Sequence, residues 1–505
     1  MTRPLALLLL ASLVGPPLDA QAPGPLDEAV ETITSDDIRT RIEILAHDSM
    51  LGRDTPSPGL ERAAAYVMAE FHRLGLRPAG DRGTYVQRFG LSRWMVDTAA
   101  SSLKMSSEGA RATVSFSSDV RVIGGKVSGK PISGHALFVA GPLRPAAARD
   151  PRLRNRIVLL APDFARPLPF DLGDRVDEIA GAARAVIILS NRDSTTFSRR
   201  LDTSLEPRLT PDHRDAEGEA PVVEVRESAL GSVATVASLD GVRLRELDSL
   251  LVRDLPDLRI ELRIERHYIQ RATAPNLVAV LEGRDPLRRN EYVAISAHLD
   301  HIGVRAGRAD SIFNGADDNA SGVAGLLELA EAFSRPEARP ARSLLFLVPS
   351  GEEKGLWGSA YWARHPTVPL GDVVADLNMD LIGRNWADSV IVTGPEMSTL
   401  GETLRRVTAG HPDLRMAPVA DRWPEERIFY RSDHYNLALA GVPVLFFTSG
   451  THTDYHQPTD VIGRIDAEKA SRLVRFVFHI GAAVANEPER PRWYPGRHDR
   501  LLEER

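Results

Sequence analysis

Residues 292–298 (YVAISAH), 343–350 (SLLFLVPS) and 372–380 (DVVADLNMD) are short apolar runs that each lead into residues with metal-ligating side chains. Between the first two lies SGVAGLLELAEAFS, residues 321–334, with apolar residues at helical spacing. Strands that are apolar throughout need cover on both faces. Their alternation with helices predicts an α/β domain whose mostly parallel, twisted sheet is sandwiched by helices. Working outward, NLVAVLEG (276–283) and PVLFFTSG (443–450) read as further strands and GSAYWARHP (358–366) as a short helix. A long helix is expected from Asp466 to Ala485, and the polar tail from Pro488 is expected to be loosely held.

Upstream the character changes. IRTRIEILAHD and GLERAAAYVMAEFHRLGL read as two helices near the start. From about residue 100 to 265, short runs such as ATVSF, HALFVAG, NRIVLLAP, VIILS and PVVEV alternate with turn residues. DRVDEIAGAARA and the stretch from about Gly241 to Leu251 read as helices within this block. It has no clustered set of His, Asp and Glu, so it reads as a non-catalytic, β-rich insertion. The expected organisation is a signal peptide over 1–22, the first part of a catalytic domain over 23–100 and an insertion over 101–270. The main catalytic segment follows over 271–486 and a polar tail over 487–505.

The signal reading rests on Arg3, the apolar run Leu5–Val14, the breakers Pro16 and Pro17, and the small-residue site Ala20-Gln21-Ala22. The run is short for a bilayer span, and no later segment reads as transmembrane, so no stable membrane insertion is expected after processing. The chain has no cysteine, which rules out disulfides, thiol catalysis and thiolate metal sites. A secreted or periplasmic bacterial protein fits these features. A formal charge of −7 over 505 residues argues against nucleic acid as a general partner.

The chemistry lies in five residues in chain order: His298, Asp318, Glu353, Asp380 and His456. Two imidazoles and three carboxylates suit zinc, and they suffice for two ions if one carboxylate bridges them. Glu352 is a spare carboxylate beside the third ligand, placed to act as a base toward a metal-activated water. Asp300, two residues after His298, is placed to accept the other ring N–H of that imidazole. Each feature is weak alone, since paired glutamates are usually solvent-exposed. Their joint occurrence at successive strand ends is what carries weight.

AHLDHIG, GADDNASG, SGEEKGLWGS, NMDLIG and YHQPTD occur in the order found in the co-catalytic zinc aminopeptidases, relatives of glutamate carboxypeptidase and the glutaminyl cyclases. SDHYNLALAGVPVLFF also resembles that family, and the insertion resembles a protease-associated domain through NRIVLLAP and AARAVIILSN. The resemblance implies two zinc ions per chain, bridged by Asp318. His298 and Asp380 would complete one site, and Glu353 and His456 the other. It further implies a cis peptide after Asp318, Glu352 as general base, and Tyr455 or Tyr430 as hydrogen-bond donor to the tetrahedral oxyanion. Peptides are the implied substrates and removal of N-terminal residues the implied reaction. A carboxypeptidase or dipeptidase would need a basic pocket, for which Arg384, Arg427 and Arg431 are candidates. A glutaminyl cyclase would bind one zinc. A non-catalytic zinc-containing binding protein would have no use for Glu352.

Overall fold

A computed structural model describes residues 25–503, except 126, 128, 144–149, 163, 165–171, 216–219, 240–246 and 248. The expected signal segment therefore lies outside the described residues, as does most of the helix expected near Gly241. Leu251, at the end of that stretch, opens a strand instead.

One large sheet contains β1 (Arg77–Pro78), β2 (Val86–Val96), β3 (Arg208–Pro211), β4 (Arg266–Leu281), β5 (Tyr292–Ser296), β6 (Ser343–Val348), β7 (Val373–Met379), β8 (Ser389–Thr393), β9 (Ala417–Val419) and β10 (Val444–Thr448). The order is β9-β8-β10-β7-β5-β6-β4-β2-β3, with β1 pairing with β4. The parallel part is narrower than the sequence suggests. β10, β7, β5 and β6 are mutually parallel, whereas β4, β2 and β3 add antiparallel pairs and β8 runs antiparallel to β10.

Both faces are covered. Along β4, Leu277, Ala279 and Leu281 pack into one core, while Val278 and Val280 face the other. The first core is closed by α1 (Ser35–Leu45), α2 (Pro58–Arg73), α3 (Gly322–Ser334) and the helix Ala467–Asn486. α1 and α2 begin at caps of the expected kind. The Thr34 and Ser57 side chains accept from the main-chain N–H groups of Asp37 and Leu60.

A second, eight-stranded sheet is built from residues between 102 and 263, with apolar cores on its two faces. Its connection to the large sheet is a long ribbon in which β2 and β4 pair from Val86↔Leu277 to Val96↔Arg266. The chain leaves and re-enters at adjacent points, where Asp97 N–H donates to the Glu265 carbonyl at 3.0 Å. Further along the ribbon, Thr273 of β4 lies opposite Gly90 of β2. β3 is drawn from within the insertion yet forms the edge of the large sheet, with Arg208 opposite Trp94.

The C-terminal segment is docked, contrary to the expectation of a loose tail. Trp493 Nε1 donates to the Gly441 carbonyl at 2.8 Å, Thr399 N–H donates to the Arg492 carbonyl at 2.9 Å, and Leu501 is buried. Two apolar anchors within a polar segment are enough to fix it.

Arg53 ties the N-terminal segment to the sheet. It is fully buried and donates to the carbonyls of Leu45, Leu299, Asn314 and Gly315 at 2.6–2.8 Å. Burial lowers its pKa to about 10, against the opposing pull of Asp318 and other carboxylates, so it stays charged at neutral pH. Arg53→Ala would strand several buried carbonyls, each costing about 1–3 kcal/mol. We expect a loss of about 4 kcal/mol or more, read as a lower urea midpoint.

Candidate metal centre

The strands β5, β6, β7 and β10 all end on one rim, the place where open α/β sheets bind ligands. His298 lies two residues past β5, Asp380 directly follows β7, and Glu352 and Glu353 follow β6. Asp318 lies in the turn Ala316–Ser321 that precedes α3, and His456 lies in the loop after β10.

All five predicted ligands converge. His298 Nε2 is 3.4 Å from Asp318 Oδ1 and 3.3 Å from Asp380 Oδ1. His456 Nε2 is 3.2 Å from Asp318 Oδ2 and 3.0 Å from Glu353 Oε2. Asp318 thus turns one oxygen toward each half of the cluster. The Asp318–Asn319 peptide is cis.

The supports differ partly from expectation. His298 Nδ1 lies 3.1 Å from the main-chain carbonyl of Asp300, whereas the nearest Asp300 carboxylate oxygen is 3.8 Å away. The carbonyl fixes the tautomer and leaves Nε2 facing the site. The Asp300 carboxylate instead accepts from the Glu352 N–H at 3.2 Å. Ser432 Oγ donates to Asp380 Oδ2 at 2.9 Å. Asp460, in the same loop as His456, accepts from the N–H groups of Asp317 and Asp318 at 3.1 Å and so braces their turn.

Sequence reasoning missed His301. Its Nδ1 is 2.8 Å from Glu353 Oε1 and 3.6 Å from Asp318 Oδ2. Ligand-capable atoms of His301, Asp318 and Glu353 lie within 4.8 Å of one another, as do those of His298, Glu352 and Asp380. The only signal was a second imidazole in AHLDHIG, which is indistinguishable in sequence from a packing residue.

Of the two tyrosines, Tyr455 lines both the large cleft and the small chamber at the site and stacks on His456 with ring centroids 3.8 Å apart. Tyr430 lines the cleft but packs edge-on against Phe429 and Tyr435. Arg384 is paired with Asp454 at 2.7 Å and Arg427 lies 4.4 Å over the Tyr430 ring; of the three candidate arginines, only Arg431 lines the cleft.

The electrostatics are those of crowded acids. Burial pushes the Glu352 carboxyl well above the usual range; His298 opposes this, while Glu353 and Asp380 reinforce it. Burial and Glu353 raise Asp318. Burial would also raise Glu353, but hydrogen bonds from His301 and His456 outweigh it and hold that carboxyl well below its usual range. Burial lowers the His456 pKa, yet its contacts with Asp318 and Glu353 prevail and lift it to about 9. Buried, mutually repelling carboxylates that meet imidazole nitrogens at 3.0–3.4 Å form a donor set that fits divalent cations.

Residues 276–480 match the family model described as Peptidase family M28. A probable zinc metalloprotease of Pyricularia oryzae is 40% identical over 109 residues, 21% of each chain. Leupeptin-inactivating enzyme 1 of Streptomyces exfoliatus is 33% identical over 181 residues, 35% of this chain and 36% of that protein. The matches therefore span about a fifth to a third of these relatives. Among solved structures, an aminopeptidase from Aneurinibacillus sp. strain AM-1 aligns with a TM-score of 0.49 at 18% identity, covering 92% of this chain and 97% of that one. Among the described residues, no helix is long and apolar enough to cross a membrane.

Proposed function

We propose that the protein is an exported zinc-dependent aminopeptidase with two metal ions per chain. The observation that carries the reading is the placement of Asp318, whose two oxygens face His298 and His456 respectively. His298, Asp318 and Asp380 would hold one ion, and Asp318, Glu353 and His456 the other, with His301 bracing Glu353. When bound, the metal pair supplies Lewis acidity, polarising a carbonyl and lowering the pKa of a water.

The chain's own residues do the rest. The Glu352 carboxylate takes the water proton and delivers it to the leaving amine nitrogen. Asp300 accepts from the Glu352 N–H and so fixes the base's main chain. The Tyr455 hydroxyl donates to the developing oxyanion. Leu381, Ile428 and Phe446 line the small chamber beside Asp318, Glu352 and Asp380, which suits an apolar N-terminal side chain. The eight-stranded sheet is read as a protease-associated insertion without chemistry of its own. Residues 1–22 are read as its export signal.

The test is a screen of zinc-loaded protein on aminoacyl arylamides and their N-acetyl counterparts. We expect hydrolysis of apolar aminoacyl arylamides and loss of activity on acetylation. Equal rates on blocked substrates would contradict the reading. Replacing the insertion with a short linker should alter the preference for long over short peptides. A folded, zinc-loaded deletion variant inactive even on arylamides would show that the insertion carries chemistry.

A further inference from the structure

The inserted sheet ends in an edge strand, Val120–Gly124, and the helix Ser194–Leu205 packs beside it. Between these elements and the start of β3 lies a pocket of about 480 Å³, within the range of small-ligand sites. Arg121 enters it from the strand, Arg199 and Arg200 from the helix, and Arg208 from β3. No carboxylate lines it among the described residues.

Local structure sets this convergence. Arg199 and Arg200 are consecutive on the helix and lie one turn before Thr203 and Ser204, which line the same pocket. Sheet pairing places Arg121 opposite Glu224 of the strand Val222–Arg226 and Arg208 opposite Trp94 of β2. Glu224 is buried and shared. It accepts from Arg121 Nε at 2.5 Å, Arg192 Nε at 3.0 Å and Ser190 Oγ at 2.6 Å. Burial would raise its pKa, but those contacts outweigh it and keep the carboxylate charged. Its one charge is therefore divided between Arg121 and Arg192.

The other three arginines have no such partner. Arg208 donates to the carbonyls of Val122 and Ser204 at 2.7 and 3.0 Å, which fixes the guanidinium without offsetting its charge. Arg199, Arg200 and Arg208 make no ion pair among the described residues. Asp202 and Glu206, close by in the sequence, do not line the pocket. Burial lowers the Arg200 pKa, and Arg192 and Arg121 add to the effect; burial and Arg121 lower that of Arg208. The fold thus holds like charges together against repulsion, and a bound anion would relieve it. Guanidinium groups match the geometry of phosphate and carboxylate. The apolar part of the lining is Val122 and Ile123, and no aromatic ring lines the pocket among the described residues, which suits a compact ligand of high charge.

We propose that this pocket of the insertion binds a small oxyanion with two or more negative charges, a phosphate or a polycarboxylate, held by Arg199, Arg200 and Arg208 with Arg121 beside them. Val122 and Arg208 also line the cleft that reaches Glu352, Glu353 and His456, so the pocket adjoins that cleft. It uses none of the metal-ligating residues and does not depend on the peptidase reading.

The test is a calorimetric titration of zinc-loaded protein at low salt with inorganic phosphate, tricarballylate and acetate. The same titrations are run on an Arg199→Gln, Arg200→Gln double variant, since Gln supports a helix about as well as Arg. We expect phosphate, tricarballylate or both to bind at least about ten-fold more tightly than acetate, and at least about ten-fold more weakly to the double variant than to the parent. The tighter of the two tells phosphate from carboxylate chemistry. Added salt should weaken the binding. No detectable binding, or equal dissociation constants for the three anions, would overturn the proposal. So would binding unchanged in the double variant, which would assign the anion to the metal cluster instead. Thermal melts without added anion give a second readout. Relief of repulsion should leave the double variant melting at or above the parent. A lower melting temperature would show that the arginines are already satisfied within the protein, and would also overturn the proposal.

Discussion

Glu352→Gln is expected to lower turnover by roughly 10²–10⁴-fold while leaving the zinc content close to that of the unaltered protein. Glu352 lines the cleft, and its backbone is fixed by the contact to Asp300. The amide keeps the size and shape of the side chain but cannot accept the water proton. The measurement also decides between two roles. Ligand-capable atoms of Glu352, His298 and Asp380 lie within 4.8 Å of one another. A ligand would take metal with it when replaced; a base would not. Near-normal turnover would remove the proton-transfer role, and a loss of metal would make Glu352 a ligand.

Asp318→Ala should empty both metal sites together and abolish activity, with a loss at least as large as for Glu352→Gln. Its oxygens approach His298 and His456 at 3.4 and 3.2 Å, and among the described residues it is the carboxylate that contacts both imidazoles. The stability effect should reverse with metal. Burial and Glu353 raise the Asp318 pKa, so its charged form is disfavoured in the metal-free fold and costs stability as the pH rises above the carboxylate range. At neutral pH, metal-free Asp318→Asn should therefore melt higher than the metal-free parent and gain less on addition of zinc. Thermal melts with and without zinc check both halves. An Asp318→Ala protein that keeps one tightly bound zinc would show that the carboxylate does not bridge.

The convergence of the five candidate ligands was legible because the apolar strands end abruptly and the topology brings their ends to one rim. Asp380 stood out for a further reason: a carboxylate within LNMDLIG is costly to bury without a partner. What the sequence concealed is held by contacts remote along the chain. Arg53 reaches carbonyls on the loops carrying His298 and Asp318, more than 240 residues away. Arg208 and Arg266 both lie over the Trp94 ring, across a ribbon whose pairing the sequence does not signal. The first half of β4 is largely exposed and polar, so it lacks the apolar run that revealed its second half. His301 looked like its neighbours until folding set it against Glu353.

The proposed two-metal centre that cuts peptide bonds can be tested through its metal dependence. The most direct measurement is a zinc titration of chelator-treated protein, following hydrolysis of an apolar aminoacyl arylamide alongside bound metal. Bound zinc is expected to reach two per chain, and full activity to require the second. Full activity at one bound zinc, with no further gain, would contradict it.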